Sequence, residues 1–124
     1  MDDEGVRQML RRHWENAGKD EAAASEMYHD DAVLEFPQSG ERFRGKANIQ
    51  GWREKYPAKL DFKAREVRGA GDFWVAENFI RYDEGPWMNA VSILELRGDK
   101  VARETVYVAE PFEAAEWRKP WAEG

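Results

Sequence analysis

Two carboxylates stand inside otherwise apolar, strand-like stretches: Glu35 in AVLEF (32–36) and Glu104 in VARETVYV (101–108). A carboxyl group stripped of water holds its proton more tightly than in solvent, unless a cation or several donors compensate, and such groups are the raw material of general acid/base chemistry. Which of the two turns inward depends on the faces of the strands that carry them. His13 is a third group suited to proton transfer near neutrality, with a hydrogen-bonded core histidine as its alternative reading. Cysteine is absent, which removes a thiolate nucleophile, a zinc ribbon and any disulfide. His29, Asp30 and Asp31 lack the HxH or HExxH spacing of a metal site, so no metal is expected. There is no P-loop and no Gly-x-Ser-x-Gly elbow. GAGDFW (69–74) lacks the third glycine and the strand–turn–helix context of a dinucleotide site, and no cofactor is expected.

These groups must be positioned by a fold, and 124 residues make one domain, 1–124. The chain is 42% hydrophobic with six Trp, six Phe and four Tyr, ample for a core. A net charge of −6, with Arg and Lys scattered among acids, excludes a nucleic-acid footprint. No stretch has the length of a membrane span, and the opening MDDEG has no apolar run like that of a signal peptide. A cytoplasmic protein is expected.

Val6, Leu10, His13 (or Trp14) and Ala17 recur at helical spacing over Asp3–Ala17, with Gly18 as C-cap. Asp20 caps a short second helix whose apolar side is Ala23, Ala24, Met27 and Tyr28. A strand at Ala32–Phe36, the turn PQSGE and a short return at Arg42–Arg44 lead to a third helix over 46–56, with Ile49, Trp52 and Tyr56 on one side and Pro57 after it. A meander follows: Leu60–Arg68, a turn at GAGD, 73–82, a turn at DEGP, WMNAVSILELR, the two-residue loop Gly98-Asp99, and KVARETVYVA. The tail 111–124 carries Phe112, Trp117 and Trp121 as anchors onto the body or a partner. The order predicts an α+β fold, three helices packed on one face of a curved antiparallel sheet.

Tight hairpins pair Arg97 with Lys100, Ile93 with Glu104, Val91 with Val106, and Asn78 with Val91. Opposed residues share a face. One face then holds Trp74, Ala76, Asn78, Ile80, Asn89, Val91, Ile93, Glu104, Val106 and Val108, although a single bulge would invert part of this map. On this face Glu104 is the candidate acid/base, with Asn78 and Asn89 to orient a ligand or stabilise an oxyanion. Its alternative reading is a structural partner of an Arg or a wet-edge charge. Trp14, Trp52, Tyr56 and Trp74 form a candidate aromatic wall, with core packing as the alternative. The other face is also largely apolar, and its expected cover is a second copy, giving a homodimer through the outer sheet face.

WENAG (14–18), MYHDDAVLEFP (27–37), RGKANI (44–49) and RGDKVARETVYV (97–108), in this order over one short domain, resemble the ketosteroid isomerase and SnoaL-like polyketide cyclase superfamily. The resemblance covers nearly the whole chain. It implies the cone-shaped fold of nuclear transport factor 2, a pocket closed by three helices, and dimers. Isomerases, cyclases, dehydratases, epoxide hydrolases and non-enzymatic binding modules share that fold. The steroid isomerases' general base falls here on Phe36, and their oxyanion-hole acid on Ile93, or Ser92 if the hairpin is bulged. Their first-helix Tyr falls near Arg11, the nearest tyrosine being Tyr28 on the second helix. All three roles are vacant, which argues against steroid-type isomerisation. If Phe36 faces the pocket, Leu34 does too and Glu35 points away.

The residues therefore lead to two expectations. One is a cofactor-independent enzyme acting on a small apolar organic molecule with a carbonyl, hydroxyl or epoxide group. Its catalytic residues are Glu104, Asn78 and His13, with Tyr56 as another possible donor. Its ligand-binding residues are Trp14, Phe36, Trp52, Tyr56, Trp74, Asn89, Val91 and Val106. The other is a binding module that uses the same pocket for a hydrophobic metabolite. A scaffold using the outer face for another protein is a third. Substrate and reaction are not written in these residues.

Overall fold

The computed structural model describes all 124 residues. Helix α1 (Asp3–Asn16) starts where the Asp2 side chain accepts the Gly5 N–H at 2.8 Å, and it buries Val6, Leu10 and His13. Asp20 caps α2 (Glu21–Ala24), which tightens into a 3-10 turn at Ser25–Met27. Strand β1 (Tyr28–Phe36) begins four residues earlier than the sequence predicts, so Tyr28 opens a strand and is not on the second helix. Then come β2 (Glu41–Arg44), α3 (Lys46–Glu54), β3 (Leu60–Ala70), β4 (Phe73–Tyr82), β5 (Met88–Arg97) and β6 (Lys100–Ala109).

The six strands form one sheet in the order β2-β1-β6-β5-β4-β3. All neighbours are antiparallel except β1 and β6, which run parallel and carry Leu34 beside Glu104. The helices cover the concave face, where Leu10, Leu34, Ile49, Trp74 and Leu94 are fully buried.

The expected register holds for the β5–β6 loop, where Arg97 opposes Lys100, but β5 is inverted relative to both of its neighbours. On one side, a bulge pairs Leu96 with Val101 and Glu95 with Arg103, leaving Ala102 over. On the other, Asp83 and Glu84 both adopt positive φ (49° and 64°), closing a tight turn in which Gly85 N–H donates to Tyr82 O at 2.8 Å. The Asp83 carboxylate pins this turn by accepting the Lys59 N–H at 2.8 Å. Asn78 therefore pairs with Ala90, and Ile93 with Thr105. A one-residue slip exchanges a strand's two faces. Ala90, Ser92 and Leu94 point inward, whereas Asn89, Val91 and Ile93 lie on the outer face.

GAGD is also not wholly a turn. Gly69 lies within β3, paired with Trp74, and only Gly71-Asp72 turn the chain. The Trp74 indole folds back over Gly69 and donates its N–H to Gly71 O at 2.9 Å. A Cβ on Gly69 would stand 2.4 Å from Phe73 O and 2.7 Å from the Trp74 ring, at φ +158°. Gly69→Ala is expected to lower unfolding stability by about 1–3 kcal/mol through overpacking, measured by urea denaturation. An unchanged midpoint would contradict this packing.

The tail leaves β6 and ends in a 3-10 helix, Glu116–Trp121. The expected anchors do not pack on the body: Phe112, Trp117 and Trp121 are 85%, 73% and 80% exposed.

Candidate functional site

Between the helices and the concave sheet face lies a cavity of about 450 Å³, within the range of small-molecule sites. Its depth follows from the sheet rows. At the closed end, Trp74, Leu94, Glu104 and Leu34 lie side by side across four strands, and the next rows carry Ser92 with Val106 and Asn78 with Ala90 and Val108. Toward the open end the walls are aromatic: Phe36 and Phe43 meet Trp52 with ring centroids 5.8 and 5.1 Å apart, and Tyr56 stacks on Tyr82 at 5.6 Å. Burial first, then the neighbouring Tyr56 hydroxyl, pushes Tyr82 up to about 12, so it stays a phenol donor at neutral pH.

Glu104 reaches this cavity although only 1% of its surface is exposed. Its flanking partners in the sheet are Leu34 and Leu94, which offer no hydrogen bond to a carboxylate. Compensation comes from the neighbouring strand β1 and from α3. The Tyr28 hydroxyl donates to Glu104 Oε1 and itself accepts from Arg53 Nη1 at 2.9 Å. Arg53 Nη2 stands 3.9 Å from the same oxygen, at the limit of ion-pair range. The guanidinium is wedged over the rings of Tyr28 and Trp52, at 5.6 and 5.5 Å from their centroids. Burial, the largest influence, raises the Tyr28 pKa well above the usual phenol range, so Tyr28 keeps the proton it donates. Both polar contacts of the carboxylate fall on Oε1, which leaves Oε2 without a partner in the chain.

His13 completes the polar end. Its Nδ1 lies 2.7 Å from Ala24 O; since a carbonyl only accepts, Nδ1 carries the proton and Nε2 is the basic nitrogen. Burial, and secondarily the Arg53 charge, lowers His13 from 6.5 to about 4, so the ring is neutral at physiological pH.

Of the residues expected to form the site, Glu104, Asn78, His13, Trp14, Phe36, Trp52, Tyr56 and Val106 all line this cavity. Three do not. Asn89 and Val91 lie on the outer face because β5 is inverted, and Trp74 is wholly buried against Gly69, with Arg7 over its ring at 5.2 Å. Ser92 takes the inward position on the bulged hairpin, in place of Ile93. Glu35 turns away from the cavity, as expected, and pairs with Arg103 and with Arg42, 3.3 Å away. The alternative reading of Glu104, an Arg partner, is met in part, since Arg53 is beside it and both face the cavity.

Arg53 was missed by sequence reasoning, Tyr28 was noted only as the tyrosine nearest the vacant first-helix position, and Ser92 only for a bulged hairpin, which is the hairpin found. Arg53 had a signal: it stands four residues after Ile49, the buried residue of α3, and so on the inward side of that helix. Tyr28 had none, because its inward direction depends on where β1 starts. No three His, Asp or Glu side chains converge as a metal-ligand set. No helix is long and apolar enough to cross a membrane.

Residues 6–104 match the SnoaL-like domain family. No curated protein matches the sequence at a significant level. Among solved structures, an NTF-2 like protein of unknown function from Burkholderia xenovorans LB400 shares 40% identity and superposes with a TM-score of 0.93, covering 100% of this chain and 98% of the other. A candidate ketosteroid isomerase from Kribbella flavida shares 20% identity at a TM-score of 0.85, covering 98% and 90%. A candidate polyketide cyclase from Sinorhizobium meliloti shares 19% identity at 0.70, covering 83% and 98%. At the last two identities the likeness concerns the fold alone.

Proposed function

Because this chain belongs to the SnoaL-like domain family, whose fold it shares with isomerase- and cyclase-like neighbours, we propose that it is a general acid/base enzyme for a small, mostly apolar organic molecule bearing a carbonyl, hydroxyl or epoxide group. The observation that carries this reading is the position of Glu104. It is a buried carboxylate at the deep end of an apolar cavity, held through one oxygen and free at the other.

In this mechanism the apolar part of the substrate lies against Phe36, Trp52 and Tyr56, and its polar group reaches the deep end. Glu104 Oε2 takes a proton from the substrate and returns it to a neighbouring atom, or takes it from water. The Asn78 amide and Ser92 hydroxyl donate to the oxygen on which negative charge develops. Tyr28 and Arg53 are positioning residues: they fix the carboxylate and supply its countercharge. The neutral His13, with Nε2 basic, is a second acceptor at the same end. The cavity residues use no bound cofactor in this scheme, and a cytoplasmic location and pairing of two copies through the outer sheet face belong to the same reading.

Glu104→Gln is expected to lower turnover by roughly 10²–10⁴-fold, the usual contribution of a positioned acid or base. The variant keeps its fold, because the amide oxygen that replaces the carboxylate still accepts from Tyr28, and Arg53 retains Tyr28 and the nearby charge of Glu21. The second reading, a binding module for a hydrophobic metabolite, is favoured by the aromatic lining of the cavity. It predicts ligand-induced stabilisation that survives Glu104→Gln with no turnover by either form.

A further inference from the structure

The last fifteen residues, Glu110–Gly124, make no hydrogen bond or ion pair to the rest of the chain. Their polar contacts are internal: Lys119 with Glu116, and the turns Arg118 N–H to Ala115 O and Ala122 N–H to Lys119 O. Three large aromatics, Phe112, Trp117 and Trp121, project from this segment almost fully exposed. A single exposed Trp needs no explanation, but three on one ordered arm do. The alignment with the Burkholderia protein extends over this segment.

The body offers a matching surface. On the outer sheet face, Val75, Ile93 and Thr105 form one row, and Glu77, Val91 and Tyr107 the next. Ion pairs frame this apolar strip: Glu35 and Glu95 around Arg103 on one side, Arg65 and Arg68 around Glu77 on the other. An apolar centre with a charged rim is the anatomy of a protein interface. The guanidiniums of Arg42, Arg65, Arg68 and Arg103 remain about half exposed. The first half of the arm is acidic, with Glu110, Glu113 and Glu116.

We propose that the C-terminal segment 110–124 is an exchange arm, which docks on the outer face of a second copy of this chain and buries Phe112, Trp117 and Trp121 there. This rests on the reading that two copies pair through their outer faces, and it assigns the arm the work of holding them. Both halves of the contact are present on one chain, so a two-fold axis satisfies both copies at once. Area argues the same way. Three aromatic side chains bring on the order of 500 Å², and the sheet strip can supply the remainder of the roughly 800 Å² per partner that a stable interface needs.

The test uses full-length chains in which benzoylphenylalanine replaces Trp117, with ¹⁴N and ¹⁵N forms mixed in equal amounts and irradiated. Cross-linked peptides joining the tail of one isotope to β4, β5 or β6 of the other are expected. Links within one isotope only, or none, would overturn the arm. Sedimentation of the full-length Phe112→Ser/Trp117→Ser/Trp121→Ser variant separates this proposal from the pairing it rests on. A dimer dissociation constant raised at least tenfold supports the arm. An unchanged constant overturns the arm and leaves face pairing standing, and an unsubstituted chain that stays monomeric at every concentration overturns both.

Discussion

Replacing Arg53 with Met is expected to destabilise the folded chain by about 3–5 kcal/mol at neutral pH, the cost of leaving a buried charge without its partner. The cation is the only positive charge placed at the deep end of the cavity, and Glu104 sits there between Leu34 and Leu94 with the Tyr28 hydroxyl as its one direct donor. Met fills much of the same volume over Tyr28 and Trp52, so the loss is electrostatic and not a packing defect. The double variant Arg53→Met/Glu104→Gln removes the stranded carboxylate and is expected to recover most of the loss. Urea unfolding of the four forms gives the coupling energy directly. Additive effects would mean that Arg53 does not compensate Glu104.

Acid is expected to weaken the fold by a comparable amount through His13. The folded ring resists protonation until about pH 4, because it is buried and faces the Arg53 charge, whereas the unfolded chain takes the proton near 6.5. Above 6.5 neither state is protonated and nothing is lost. Between 6.5 and 4 the unfolded state holds the extra proton, so stability falls by about 1.4 kcal/mol per pH unit, or about 3 kcal/mol in all. His13→Asn keeps a donor for Ala24 O and removes the titration. Its unfolding free energy is expected to fall less than that of the parent between pH 7 and 4, by about this amount. Parallel curves would contradict the buried neutral ring.

The deep end was legible in part, and the reason lies in which strands the register errors touched. β4 and β6 keep the faces that alternation gives them, so Asn78, Glu104 and Val106 come out on the cavity side. β5 does not, because the bulge at Ala102 and the Asp83–Glu84 turn each move it by one residue. Neither device has a local signature. Positive φ is uncommon for Asp and rarer for Glu, and a bulge residue as plain as Ala102 advertises nothing. Asn89 and Val91 went to the wrong face as a result, and Ser92 entered only as the bulged-hairpin alternative to Ile93. Trp74 failed for a different reason: a Trp beside a glycine in the facing strand has room to fold onto the backbone, and Gly69 gives it that room. The helix starts were legible, since capping chemistry such as that of Asp20 marks them, but the ends were not: α2 stops at Ala24, before the expected Met27 and Tyr28, and α3 at Glu54 instead of 56. Arg53 reaches Glu104 from a distant part of the chain, a pairing that only the packing of α3 on the sheet reveals.

The fold sets the Glu104 carboxylate at the deep end of an apolar cavity with one oxygen engaged and the other open, and the central claim is that this open oxygen moves protons. The most direct test is mass spectrometry of small ketones, hydroxy compounds and epoxides incubated in D₂O with the protein and with Glu104→Gln. Solvent-hydrogen exchange, loss of water and ring opening each change the mass, so the assay does not require the reaction to be known beforehand. A mass change catalysed by the parent and lowered at least 100-fold in Glu104→Gln, while the variant still binds the same compound, is the predicted result. Equal rates in both forms, on a compound shown to occupy the cavity, would contradict it.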